Sequence, residues 1–259
     1  MSLFLNDRLL RDFATEDFAS QRPFPWYSFQ DVLRPEAFEA LYREFPSLEL
    51  FERHNGITRA YGQRPHNRYY LAYERSIYND REAGSEGVVA LGDLPVVWQQ
   101  FMLEVQGNSE YAAFARRMLG VDDFVVRFAW HVGVNGSEVS PHRDSHTKLG
   151  THIFYFNTSE DWQPEWGGSI LVLDGKKVPQ DNPDLSDFES VRGCDIRDNR
   201  SFLFKNTENA WHGVEKLTCP EGRYRRLFNV VFEPVRQNQA REEKLRDGAK
   251  GWRRLLSRA

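Results

Sequence analysis

Apolar residues recur first at helical spacing and later in short alternating runs, and the change falls near residue 123. In RPEAFEALYREF, Phe38, Leu41, Tyr42 and Phe45 stand at i, i+3, i+4 and i+7, which makes one helix face apolar. Pro35 suits the first turn of that helix and Pro46 ends it. LPVVWQQFMLEV and EYAAFARRMLG predict two more amphipathic helices, the second stopped by Gly120. Residues 52 to 90, rich in Arg, Asn, Tyr and Gly, hold no clean period and read as loops with short strands. The first half is therefore expected to be mainly helical.

From about 123 to 234 the chain breaks into DFVVRFAWHV, THIFYFN, GSILVLD, SFLFKN, WHGVEKL and RRLFNVVFEP, with turn residues between them. Strands of this length and spacing predict a sandwich or barrel. The expectation is a mainly β chain with flanking helices (α+β), forming one structural domain in three stretches. Residues 1–122 are a helical and loop region packed on the core, 123–235 are the β core, and 236–259 are a basic helical tail. That tail reads as a solvated helix with one packed face.

Composition narrows the function classes. With 259 residues and 40% hydrophobic content, the chain can bury a sizeable core. A formal net charge of -4 gives no reason to expect nucleic acid. No apolar run is long enough to span a membrane, and MSLFLNDRLLRDF does not read as a signal peptide. Cys194 and Cys219 lack metal or redox spacing and are expected as two unpaired thiols in a reducing cytoplasm. A monomer or a homodimer fits equally.

The candidate chemistry starts at SPHRDSH. On a strand, His142 and Asp144 point to one face, so an imidazole and a carboxylate converge. His212, in NAWHGVEKL, is the candidate third ligand. Two histidines and one carboxylate on one face leave three coordination positions open, the non-haem Fe(II) arrangement. His146 shares the alternating face and offers a rival set drawn from one strand. His131 and His152 sit within apolar strands and read as core or pocket-lining residues; His54 and His66 carry no assignment.

The run from about Phe124 to Pro234 resembles the catalytic core of the Fe(II)/2-oxoglutarate-dependent dioxygenases, in the branch that holds the prolyl hydroxylases. HRD at 142 to 144 resembles the family's His-X-Asp. THIFYFN followed by DWQPEWGGSILVL resembles its Thr, apolar stretch, Tyr-Leu-Asn, Trp and Gly-Gly sequence. SFLFKN and WHGVEKL resemble the strand and the His-X-Val segment of the distal ligand, and RRLFNVVF resembles Arg-X-Ser-Leu-Asn-Gly-Trp-Phe.

The resemblance implies a double-stranded β-helix (jelly-roll, cupin-like), with Fe(II) on His142, Asp144 and His212. It also implies 2-oxoglutarate as cosubstrate, dioxygen, and ascorbate as an accessory reductant. Arg225 would grip the far carboxylate of 2-oxoglutarate, with Tyr155 and, less directly, Thr151 beside it; Arg223 competes for that role from the same face. A planar guanidinium suits the task because it pairs with a carboxylate at two points. Gly167 and Gly168 are expected to serve a backbone turn. Asp144 stands where halogenating relatives carry a small residue, so the implied reaction is hydroxylation of a small molecule or a peptidyl side chain such as proline. Val231 and Phe228 depart from the family's tryptophan and leucine, which alters pocket shape. Arg64, His66, Arg68 and Arg75 offer an anion-binding rim, against the plainer reading of a solvated loop. The competing classes are a non-catalytic β-barrel binding module and a cupin-type metal enzyme that uses no 2-oxoglutarate.

Overall fold

The computed structural model describes residues 2–57, 64, 66–78 and 81–235. The expected helical tail from Arg236 lies outside the described residues. The first half runs α1 (Asp7–Asp12), α2 (Thr15–Ala19), β1 (Trp26–Gln30), α3 (Pro35–Arg43), β2 (Glu52–Ile57), β3 (His66–Tyr73) and β4 (Val88–Val89). Then come α4 (Val96–Gly107), α5 (Ser109–Leu119), β5 (Val125–Gly133), β6 (Val139–His142) and β7 (Gly150–Tyr155). The chain continues with β8 (Ile170–Asp174), β9 (Ser190–Cys194), β10 (Arg200–Lys205), β11 (His212–Val214) and β12 (Arg225–Glu233).

The three helices expected from periodicity are α3, α4 and α5. Asn108 caps α5 by accepting from the Tyr111 N–H at 2.8 Å, and Gly120 closes it in the left-handed region at φ 64. The first half nevertheless holds more strand than its periodicity suggests. β3 is eight residues long and pairs with both β5 and β2 inside the larger sheet. Its alternate positions are His66, Arg68, Tyr70 and Ala72, so the inward face is polar at one end and small at the other. Alternation of apolar and polar residues is lost wherever a strand lines a polar cavity, which is why β3 read as loop.

Two sheets face one another. The larger has eight strands in the order β1-β10-β7-β12-β5-β3-β2, with β4 on β3; the smaller is β6-β11-β8-β9. This is the expected double-stranded β-helix. Phe228 of β12 pairs with Trp130 of β5 and Phe154 of β7, and all three lie on the outer face of the larger sheet. Trp98 of α4 packs on that face, 5.5 Å from Trp130 and 5.3 Å from Phe228 between ring centroids. The Trp98 indole N–H donates to the Leu41 carbonyl at 3.2 Å, so burial leaves it satisfied. Full burial of side chains of this size contributes about 1.5–3 kcal/mol each, and these aromatics anchor the helical layer. The inner face carries Ile153, Tyr155, Phe204 and Leu227 against Ile170 and Val172 of the smaller sheet. Toward one end that inner core gives way to polar side chains. Cys194 and Cys219 are buried free thiols, and among the described residues no helix is long and apolar enough to cross a membrane.

Candidate metal centre

β6 and β11 are neighbours in the smaller sheet, with His142 directly opposite His212. Facing residues of an antiparallel pair hold their Cβ atoms about 5 Å apart; the two imidazole centroids here are 4.3 Å apart. β6 ends at His142, so Asp144 sits past the strand, beyond the alternation that its spacing suggested. The chain still brings its carboxylate back to the same place. One donor atom from each of His142, Asp144 and His212 lies within 4.8 Å of the others.

The histidines are oriented by the backbone. His142 Nδ1–H donates to the Ser140 carbonyl and His212 Nδ1–H to the Ala210 carbonyl, each at 2.9 Å. These bonds assign the proton to Nδ1 and the lone pair to Nε2, the tautomer a metal requires. Asp144 is held by Lys148, whose Nζ donates to Oδ1 at 2.7 Å. Enclosure pushes the Asp144 pKa up, but Lys148, His212 and His142 outweigh it and hold the carboxyl well below the usual range. The group is therefore an anion ready to ligate. His146 is exposed and does not join this cluster.

A second set lies on the facing wall. Arg225 opens β12 and is 6% exposed, with its Nε donating to the Gly168 carbonyl at 2.6 Å. Gly168 has φ +85, and a Cβ there would stand 2.9 Å from Arg225 Cδ, so glycine makes the space the guanidinium occupies. The guanidinium carbon lies 5.2 Å from the Tyr155 ring centre. Burial lowers the Arg225 pKa and Tyr155 counteracts it. Arg225 has no carboxylate partner among the described residues. A buried cation in that state is costly unless an anion arrives. The competitors go elsewhere: Arg223 is exposed over the Trp166 ring, and Arg226 bonds Asp161 on the other face.

Some of the buried polar atoms that lack partners lie in the space between. The Tyr155 hydroxyl and the Asn229 Oδ1 are buried without a hydrogen bond, and both residues face the lumen of the β-helix. Burial raises the Tyr155 pKa, so its hydroxyl stays a neutral donor. Thr151 lies at the metal end, its hydroxyl 3.5 Å from Asp144 Oδ2. It pairs with Val231, six residues along β12 from Arg225, or about 20 Å of extended chain. The structure thus places Thr151 beside Asp144 and away from the Arg225 end. Asn229 and Lys148 were not picked out from sequence. Asn229 could have been, since it shares the inward phase of Arg225 and Leu227. Lys148 lies in a turn, where no period points.

The remaining histidines divide by face. His131 lines the lumen; His152 lies on the outer face, bonded to the Tyr111 hydroxyl and to Ser201 Oγ at 3.0 Å each. His66 is buried with its ring 6.2 Å from that of His142, and His54 bonds Glu52 at 3.2 Å, away from the cluster. A larger cleft of about 420 Å³ borders Asp144 and Lys148 from outside, but Asn229 and Arg225 line only the lumen.

Residues 127–232 match the family profile of the 2OG-Fe(II) oxygenase superfamily. That span runs from β5 through β12 and includes every residue of the two sets. No curated protein matches the chain in sequence. In structure it is similar to a prolyl-4-hydroxylase of Pseudomonas putida, at 13% identity and TM-score 0.54, over 85% of this chain and 96% of that one. It is similar to a prolyl hydroxylase of Trichoplax adhaerens, solved with a hypoxia inducible factor peptide, at 10% identity and TM-score 0.55, over 88% and 90% of the two chains. The alpha ketoglutarate dependent epimerase SnoN of nogalamycin biosynthesis aligns at 13% identity and TM-score 0.54, over 85% and 83%. At such identities these likenesses establish the fold.

Proposed function

We propose that this 2OG-Fe(II) oxygenase uses His142, Asp144 and His212 to hold Fe(II) and Arg225, with Tyr155, to hold 2-oxoglutarate, in order to hydroxylate a C–H bond of a small-molecule or peptidyl substrate. The observation that carries this reading is the pairing of a convergent His-Asp-His set with a buried, anion-free arginine in one lumen. Each half needs a different end of the same cosubstrate. A binding module would have no use for both, and a cupin-type enzyme without 2-oxoglutarate would leave the arginine's charge stranded.

Fe(II), 2-oxoglutarate and dioxygen, when bound, supply the oxidant that breaks the substrate C–H bond, with succinate and carbon dioxide as co-products. The protein's residues position and shield. His142 and His212 would present Nε2, each fixed through its Nδ1 bond to a carbonyl. Lys148 holds one oxygen of Asp144 and so orients the other. Arg225 and the Tyr155 hydroxyl would take the far carboxylate of 2-oxoglutarate, which meets the unmet donor of the one and the charge of the other. Ile153, Phe204 and Leu227 line the space and keep it poor in water. No side chain is asked to act as general base. A cytoplasmic location fits a ferrous site and the two free thiols.

The test is anaerobic titration of Fe(II)-loaded protein with 2-oxoglutarate, following the visible metal-to-ligand charge-transfer band. A band in the wild type that vanishes in Asp144→Ala is expected. Bound iron with no band at any 2-oxoglutarate concentration would sink the reading.

A further inference from the structure

The lumen holds one more cation than 2-oxoglutarate can use. Four basic residues of the early region are candidates for an anion-binding rim, and the structure separates them. Arg64 pairs with Asp184 at 2.6 Å and Arg75 with Glu82 at 3.3 Å, both at the surface. Arg68 instead turns into the lumen and lines the same space as His142, Asp144 and Arg225. It faces no carboxylate within ion-pair distance among the described residues. One guanidinium nitrogen donates to the Tyr78 hydroxyl at 2.8 Å, and its buried Nε has no partner. Glu138 borders the adjoining recess but is exposed and pairs with neither arginine.

Register fixes where Arg68 stands. β3 pairs with β5 through Tyr69↔Val132 and Tyr70↔His131, and β12 pairs with β5 through Arg225↔Gly133. Continued by one residue, that register sets Arg68 opposite Gly133. Arg68 and Arg225 thus flank a glycine in one row, two strands and about 10 Å apart. They lean in opposite directions. Arg225 goes to Tyr155 and Gly168, and Arg68 goes to Tyr78, on the side where His66 approaches His142. A single 2-oxoglutarate spanning from the metal ligands to Arg225 leaves Arg68 unmatched. Its charge is felt there: after desolvation, Arg68 is the next cause depressing the His131 pKa, and it also lowers that of Arg225.

Resting on the functional reading above, we propose that Arg68 is a specificity-determining residue, and that the substrate carries a carboxylate or phosphate which Arg68 binds beside the metal, opposite the Tyr155 wall. The guanidinium fork suits either anion, and the unpartnered Nε supplies the second donor of a two-point contact. The oxidised C–H bond then belongs to an acidic small molecule or to the acidic end of a peptide.

The experiment is anaerobic calorimetry on Fe(II)-loaded, 2-oxoglutarate-saturated protein with matched pairs that differ only in charge. The pairs are small carboxylic acids and their amides, phosphate monoesters and their parent alcohols, and tetrapeptides with Asp or Asn. At least one acidic series should bind about tenfold tighter than its neutral counterpart, and which series it is separates the small acid from the peptide. Arg68→Gln should erase that preference while 2-oxoglutarate affinity, read from the charge-transfer band, stays within about threefold. Arg68→Lys should keep part of it, because charge survives without the fork. Equal or absent binding in every series would overturn the proposal, as would a tenfold loss of 2-oxoglutarate affinity in Arg68→Gln. If the wild type shows no band, it is the functional reading that fails.

Discussion

The two faces of the larger sheet are built from the same strands and obey opposite rules. On the outer face, Trp98, Trp130, Phe154 and Phe228 close on one another, and the polar groups among them are few and uncharged: Leu41 satisfies the Trp98 indole, Tyr111 and Ser201 satisfy His152, and the Trp130 indole N–H is left without a partner. On the inner face, Arg225 has no anion, while Tyr155, Asn229 and Arg68 each keep a buried polar atom without a bond. Packing that is apolar and nearly complete serves stability. Packing that gathers a buried cation and several unmet donors and acceptors round one cavity is suited to being finished by something that binds, since each unmet buried polar group costs about 1–3 kcal/mol. Alternation on a single strand, β12, is enough to divide the two roles.

The largest expected break comes on the outer face. Trp98→Ala removes a fully buried ring that touches Trp130, Phe156 and Phe228, and should cost about 3–5 kcal/mol in urea unfolding. Activity per folded molecule should change little. If the variant instead kept its stability and lost 2-oxoglutarate binding, the division between the faces would be wrong. Next in size is Arg225→Met on the inner face. It exchanges a buried cation without an anion for an apolar chain of similar length, so stability should hold or rise. The 2-oxoglutarate concentration for half-saturation of the charge-transfer band should increase about thirtyfold, or roughly 2 kcal/mol. A large fall in stability with unchanged affinity would make Arg225 a structural residue.

What could be read from sequence follows the same division. The outer-face elements α3, α4 and α5 and the strands from β5 onward show clean periods because one side of each is apolar and the other is not. His142, Asp144 and His212 were legible through their motif, and Arg225 through its place at the head of an apolar strand. β3 was not legible. Its inward positions His66 and Arg68 serve the lumen, and a strand that contributes to a polar site gives up the alternation by which strands are recognised. Lys148 was hidden for another reason: its bond to Asp144 depends on a turn whose path no period encodes. Nor could spacing decide between Arg223 and Arg225. In the structure β12 begins at Arg225 and Arg223 is exposed in the turn before it, which supports the proposed role of Arg225.

The smallest effect tests the outer face by titration. Burial depresses the His152 pKa from 6.5 to about 3. The unfolded chain therefore takes up a proton below about pH 6.5 that the folded chain refuses until about pH 3. Stability contributed by the neutral ring is fully present above pH 6.5 and drains away as pH falls between those values. The slope approaches about 1.4 kcal/mol per pH unit for one such group. His131 is shifted in the same direction and adds to the acid limb. Urea unfolding from pH 7 to pH 4 should show the loss, and His152→Gln should flatten the slope by nearly one proton even though it lowers stability at pH 7. His152 packs on the helix side, between Tyr111 and Phe154, so loading the lumen with metal and 2-oxoglutarate should leave its share of the slope unchanged. A share that disappears on loading would couple the two faces, and the histidine would then belong to the site rather than to the core.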